Sequence, residues 1–530
     1  MAFDDGKSVK SAYFPVAHKN GENLEPQVKN LLRDVVEGVP ILGFHNAKFD
    51  LVSLATINIF PTQPFYDTML MTHMIDENQF NKGLDAQAKK WLNDPGKDRS
   101  EEFNTSKAFL GWEGMFPELI YDYAAHDADM TLRLLMILLL EFGMQDFTSE
   151  LWQDEQDFVR ALIAMEKRGI KIDQELSKQQ AAYGERRMAA IKSELGINPA
   201  SSKDLKRLLI DVLNLPVFER TPKGEPSFNR KAMESYDLVL EGLDSPVASK
   251  ILEYRGWQKT VSSNYNSYLD LISPDGRLRP NYKIHGTKTG RLSCEKPNLQ
   301  QIPRNSKNEW NGQLKKAFIP ADGYTLMEFD YSQVEFRLAA AYAKESKLID
   351  VFNSGEDIFD SMALELGMKR QDVKTLVYST LYGAGLVRLS TVFGVSEAEA
   401  RDIRDNFYHK YPGLKTTSQK ANNLARKQGY IKYWTGRRRH LDSDSAHKAF
   451  NSLIQGGAAE ITKRAIIHCD KKFEGNPDCR MLLTVHDSII FEIKSDQVDF
   501  YAPKIIAIMQ HPVGVPDFGV KFAVDGKEWK

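Results

Sequence analysis

Apolar and polar positions alternate along this chain in patterns that fix its main elements before any chemistry is considered. Leu326 to Phe329 reads as a mostly buried strand ending at Asp330, and Val334, Leu338 and Ala341 then recur at helical spacing with Ser332 as the N-cap. Met481 to Ile493 consists of two apolar, β-rich segments joined by a short polar break, a hairpin with Asp487 at its tip. Between these stretches Arg370, Lys374, Tyr378 and Tyr382 step by four and line one helix face. Residues 1 to about 145 mix short strand-like runs with helices and end in the strongly apolar pattern from Thr131 to Phe142, a compact α/β unit. Long polar helices follow, at Gln153 to Lys167 and Gln174 to Glu194, with a loop around Thr221 to Pro226. Residues 341 to about 440 read as helical, and Val520 to Trp529 supplies a last strand-like segment.

Composition narrows the class. At 530 residues, 42% hydrophobic and 27% charged, the chain has room for several domains with ordinary cores, which excludes a disordered or fibrous protein. With 70 Lys+Arg against 72 Asp+Glu the formal charge is −2, so a nucleic-acid partner would need a locally basic surface. Cys294, Cys469 and Cys479 lack paired metal spacing, which argues for a reducing compartment and against zinc. The apolar run Leu134 to Leu140 is too short to span a bilayer, and Met1 is followed by charged, turn-rich residues rather than a signal sequence. The expected location is the cytoplasm of a bacterial or phage-infected cell, or an organellar matrix. No repeat or low-complexity segment interrupts the chain.

Asp330 at a strand's carboxyl end suits a divalent cation, although a lone strand-end Asp is more often a turn residue. Asp487 supplies a second carboxylate 487 − 330 = 157 residues downstream. Such a like-charge pair is costly unless cations bridge it, and two magnesium ions roughly 4 Å apart would do so while clamping an in-line phosphoryl displacement. Cations and aromatics on the Arg370 to Tyr382 stripe could hold a triphosphate at one end and stack a base or sugar at the other.

Asp330-Tyr331-Ser332-Gln333-Val334-Glu335-Phe336-Arg337 and Val485-His486-Asp487 resemble motifs A and C of the family A DNA polymerases, and Arg370 to Gly383 resembles motif B. The three occur in the family's order. The resemblance implies a right-hand polymerase of fingers, palm and thumb with an N-terminal RNase H-like 3′-5′ exonuclease-type α/β domain. It divides the chain into an exonuclease-like domain at 1–145, thumb and the start of the palm at 146–290, palm at 291–340, fingers at 341–440 and palm again at 441–530. Asp330 and Asp487 would bind two Mg2+ ions and catalyse the reaction, with Arg370, Lys374, Tyr378, Tyr382 and Glu335 around the dNTP. Glu335 beside Tyr382 would fill the space that a ribose 2′-hydroxyl needs.

Arg291 lies in the string His285 to Ser293, and Asn298 and Gln300 follow in Pro297 to Pro303. With Asn451, Gln455 and His486, and with Arg255 and Lys259 on the thumb helix, they would meet primer-template DNA. The cluster Arg437-Arg438-Arg439 reads as surface charge or a template-facing patch. Three positions depart from the family: Ser488 where Glu is usual, Phe359 in place of a phosphate-binding His, and His447 in place of an Arg. Tyr378 is the motif B variant associated with the phage branch.

Asn46 with Asp50, and Tyr123 with Asp127, have helical spacing and resemble the second and third motifs of a proofreading exonuclease. Tyr123 would orient the attacking water, and Asp50 and Asp127 would hold metals. The family's first motif, Asp-x-Glu on a strand, is missing: Asp4 would need an acid at Gly6, and Asp5 one at Lys7. The domain has therefore lost proofreading, or the chain begins inside a longer protein. The implied activity is a monomeric, template-directed DNA polymerase acting on primer-template DNA and dNTPs. A single-subunit RNA polymerase and an inactive primer-template binder are the alternatives.

Overall fold

The computed structural model describes residues 1–4, 9–16, 18–94, 101–302, 310 and 313–529. Its centre is a four-stranded antiparallel sheet in the order Cys479–Val485, Ser488–Lys494, Tyr324–Tyr331, Val524–Glu528. The expected strand is the longest of the four, and the expected hairpin pairs with it directly. Period-two alternation puts Met327 and Phe329 on one face and Glu328 and Asp330 on the other. Phe329 is fully buried and meets Phe491 edge-on at 5.7 Å. Helices Ala449–Phe473 and Val498–Gln510 pack against the sheet. Ser332 does not cap the following helix: the helix begins at Val334 behind Gln333, whose φ is 59°. The Ser332 N–H donates to the Ala523 carbonyl at 2.9 Å, so the sheet edge holds that residue and the chain turns one position later.

The long polar helices run from Ser149 to Arg168 and from Gln174 to Leu195. The second packs on Val247–Thr260 with a close approach at Gly184, where a Cβ would lie 2.6 Å from the Trp257 ring. The N-terminal unit holds an antiparallel pair, Ala2–Asp4 with Val9–Ser11, and a parallel pair, Leu42–Phe44 with Phe65–Asp67. Both touch the helix Pro117–Met144, which contains the apolar run expected from Thr131 to Phe142. Asp5, Gly6 and Lys7, which bear on the first exonuclease motif, and Pro303 lie outside the described residues. No helix among the described residues is long and apolar enough to cross a membrane.

Helix Ser149–Arg168 joins the N-terminal unit to the rest. Trp152 Nε1 donates to the Phe65 carbonyl at 3.0 Å, and Gln156 Oε1 accepts from the Phe65 N–H at 2.8 Å. Arg160 donates to the carbonyls of Pro61 and Gln63 at 2.9 and 2.8 Å.

The Arg437 to Arg439 cluster is neither surface charge nor a template-facing patch. Arg437 and Arg439 are buried, at 4% and 8% exposure. Arg437 pairs with Glu155 and, at 2.8 Å, with Glu460, while Lys463 reaches Glu155 at 2.9 Å. Arg439 Nη1 lies 2.5 Å from Glu77. Buried charge must be paired, and these partners come from distant parts of the chain.

Candidate active site

The sheet brings the two expected carboxylates together. Asp330 pairs in register with Ser488, and the Tyr331 N–H donates to the Asp487 carbonyl at 3.4 Å. Strand pairing closes the hairpin at Val485 and Ser488, leaving His486 and Asp487 as its two-residue turn; His486 has φ 56° and is exposed. Asp487 is 24% exposed, and Asp330 is half-buried. Ser488, at the family's Glu position, is buried and turned into the hairpin, its hydroxyl donating to the Val485 carbonyl at 2.9 Å. Asp525 on the other neighbouring strand also pairs with Asp330.

Arg291 links Asp487 to Glu335 and, through it, to Tyr382 at the end of the Arg370 to Tyr382 stripe. Its Nη2 meets Glu335 and lies 3.8 Å from Asp487 Oδ1, while the Tyr382 hydroxyl donates to the other Glu335 oxygen at 2.8 Å. Burial raises the Glu335 pKa, Arg291 and Tyr382 oppose that rise, and the Asp487 charge adds to it. The net shift is upward. Helix Arg370–Leu381 carries Arg370, Lys374 and Tyr378 as expected, with Tyr382 as its C-cap. Tyr378 stands between Phe359 and Tyr382, at ring distances of 6.1 and 5.9 Å. Phe359 is buried, with Arg370 and Lys374 over its ring at 5.7 and 5.9 Å. The departure from His has thus put an aromatic base under both cations.

Residues 167–530 match DNA polymerase family A. The chain belongs to that family. Residues 1–142 match a 3′-5′ exonuclease family. DNA polymerase I of Rhizobium leguminosarum is 28% identical over 551 residues, covering 96% of this chain and 53% of that protein. DNA polymerase I of Streptococcus pneumoniae serotype 4 is 32% identical over 397 residues, covering 68% of this chain and 44% of its own. The chain thus spans about half the length of these bacterial relatives. A solved structure, the POL domain of Pol1 from M. smegmatis in complex with DNA primer-template and dNTP, superposes with a TM-score of 0.82 at 26% identity. The match covers 96% of this chain and 88% of that one. The expected fold, a right-hand polymerase with an exonuclease-type N-terminal domain, is the fold observed.

Within this family A framework the residues expected at DNA divide into two groups. Gln300, Arg291 and His486 line one narrow cavity together with the expected metal ligand Asp487 and with Gly290 and Lys463. Asn451 and Gln455 share a face of helix Ala449–Phe473, and the Asn451 side-chain oxygen is buried without a hydrogen-bond partner among the described residues. Lys259 is exposed. Two others are engaged within the protein: Arg255 donates to the Phe228 carbonyl, and Asn298 Oδ1 accepts from the Gln300 N–H at 3.1 Å, capping a short turn. His447, where the family has Arg, is exposed, and its Nδ1 contacts the Asp444 carbonyl at 2.7 Å. Sequence reasoning missed Lys463, which lines this cavity from the long helix while its ammonium pairs with Glu155 and Glu460. Locally it is one of two adjacent cations, Lys463 and Arg464, and nothing in the sequence singles it out.

In the exonuclease-type domain Asn46 does not share a helix face with Asp50. It precedes helix Ala47–Thr56 with φ 74°, because the Asp67 carboxylate accepts the N–H groups of both Asn46 and Ala47 at 2.9 Å and turns the chain there. Asp50 is raised to about 7 by burial first, then by the charges of Asp67 and Asp127. Asp67, overlooked in the sequence, completes this acidic group. It also accepts from the Met69 and Leu70 N–H groups, so its lone pairs serve two helix starts. Tyr123 stacks on Phe103 at 5.0 Å and tilts against Trp112 at 5.5 Å.

Proposed function

We propose that the chain is a template-directed DNA polymerase that adds dNTPs to a primer 3′-hydroxyl. The observation that carries this reading is the meeting of Asp330 and Asp487 at one end of the sheet, with the Glu335, Tyr382 and Arg291 contact beside them. Two half-buried carboxylates form a hard oxygen donor set that fits Mg2+. Bound there, divalent cations would activate the primer oxygen and stabilise the leaving pyrophosphate. Arg370 and Lys374 neutralise the triphosphate, Tyr378 and Tyr382 bound the sugar and base, and Gln300, Asn451, Gln455 and Lys259 hold primer-template DNA. That the M. smegmatis neighbour was solved with primer-template and dNTP supports the choice of partners. The buried Glu335 favours deoxyribonucleotides over the RNA polymerase reading. Assignment to the phage branch rests on Tyr378, whereas the relatives named above are bacterial.

Proofreading is impaired in this reading. Asp67 is committed to four backbone donors and Tyr123 to an aromatic cluster, which leaves Asp50 and Asp127 as a thin metal set. A labelled primer-template incubated with dNTPs or NTPs, with and without magnesium, tests both halves. The expected result is magnesium-dependent extension with dNTPs only, and no shortening of the primer when nucleotides are withheld. Absence of extension would remove the polymerase reading, and trimming that disappears in Asp127→Ala would remove the second half.

A further inference from the structure

Arg370, the cation assigned above to the triphosphate, is held by two carboxylates of the preceding helix Ile358–Leu366. Its Nη2 lies 2.6 Å from Asp357 Oδ2 and its Nε 3.1 Å from Asp360 Oδ1. The two acids differ in what fixes them. Asp357 caps its helix, accepting the N–H groups of Phe359 and Asp360 at 2.8 and 3.0 Å, so the backbone holds it in place. Asp360 stands in the first turn of that helix, 65% exposed, and its ion pair among the described residues is with Arg370. Phe359 lies between them in sequence, buried under the cations, with no charge of its own to offer a phosphate. Lys374 is exposed and makes no salt bridge among the described residues.

A triphosphate reaching this face must displace Asp360 from Arg370 and approach a carboxylate of its own sign. Asp357 keeps Arg370 oriented whether or not Asp360 is engaged. We propose that Asp360 sets the affinity of the helix Arg370–Leu381 for the incoming nucleotide, by competing with the triphosphate for Arg370. The proposal rests on the reading of that helix as the triphosphate site. An exposed ion pair is weak, so its removal is tolerated by the fold, and the same weakness limits the effect on binding to about two- to fivefold. Screening by salt should shrink it further.

Asp360→Asn keeps the size of the side chain and removes its charge. In single-nucleotide incorporation the KM for dNTP should fall about two- to fivefold with kcat unchanged, and the gain should fade as KCl is raised. Equilibrium binding of dGTP with magnesium to the protein on a primer-template ending in a dideoxynucleotide is a readout independent of chemistry, and it should tighten by the same factor. In an Arg370→Gln background Asp360→Asn should tighten both quantities clearly less than it does with Arg370 present, because the competition acts mainly through Arg370 and only the weaker, screened repulsion remains. Unchanged KM and dGTP affinity in the single variant, or equal tightening in the Arg370→Gln background, would overturn the proposal. Failure of every variant to extend primers would instead count against the polymerase reading, and the dGTP binding would still decide the role of Asp360.

Discussion

With 7% of its side chain exposed, Glu335 depends on Arg291 and Tyr382 to offset the cost of a buried carboxylate. That arrangement holds it in place, as the proposed exclusion of a 2′-hydroxyl requires. On the proposed function, Glu335→Ala removes an obstruction met by a ribonucleotide and nothing met by a deoxyribonucleotide. The ratio of kcat/KM for dNTP over NTP should fall by about tenfold or more, in the range of one steric contact. An unchanged ratio would place sugar selection elsewhere. Asp330, Asp487 and Glu335 were legible because each sits in a short string whose wording is specific. The partner of Glu335 was not: Arg291 lies 44 residues before it, and nothing local to either announces the contact.

Among the elements, helices carried by long amphipathic patterns were read to within a few residues, as Gln153 to Lys167 against Ser149–Arg168 shows. The errors fall where tertiary contacts override local signals, at Ser332, at Asn46 and in the Arg437 to Arg439 cluster. His285, in the loop after the strand Asn281–Lys283, shows how packing also resets chemistry. Burial, with Lys82, Lys283 and Lys48 nearby, pushes its imidazole down to about 4. An unfolded histidine titrates near 6.5, so as pH falls from about 6.5 to about 4 the unfolded chain takes up a proton that the fold refuses. The stability this contributes is complete above about pH 6.5 and is lost towards about pH 4. His285→Gln should therefore lose less Tm than wild type between about pH 7 and about pH 4.5, as thermal melts will show. An equally steep loss in the variant would mean that the imidazole is protonated in the folded protein.

Across the whole molecule, buried charges tie distant parts of the chain together, Glu77 of the N-terminal unit to Arg439 among them. Glu155, Glu460, Arg437 and Lys463 join helix Ser149–Arg168, helix Ala449–Phe473 and the hairpin ending at His440. The Glu155 and Arg437 positions are 282 residues apart, so only the folded chain reveals them as partners. Burial pushes the Glu155 pKa up, but Arg437 and Lys463 outweigh it and hold the carboxyl below its ordinary value. Arg437→Met would leave two acids around a single lysine and should cost about 3–5 kcal/mol in chemical denaturation, whereas Arg437→Met with Glu155→Met should recover much of it. A single variant as stable as wild type would contradict this account of the buried charges. The same long-range folding unites Asp330 with Asp487, and on that union the proposed function depends. Asp330→Asn and Asp487→Asn, each assayed for primer extension beside duplex binding, test it most directly. Loss of extension in both with DNA binding nearly intact is the expected result, and near-normal extension by either variant would contradict it.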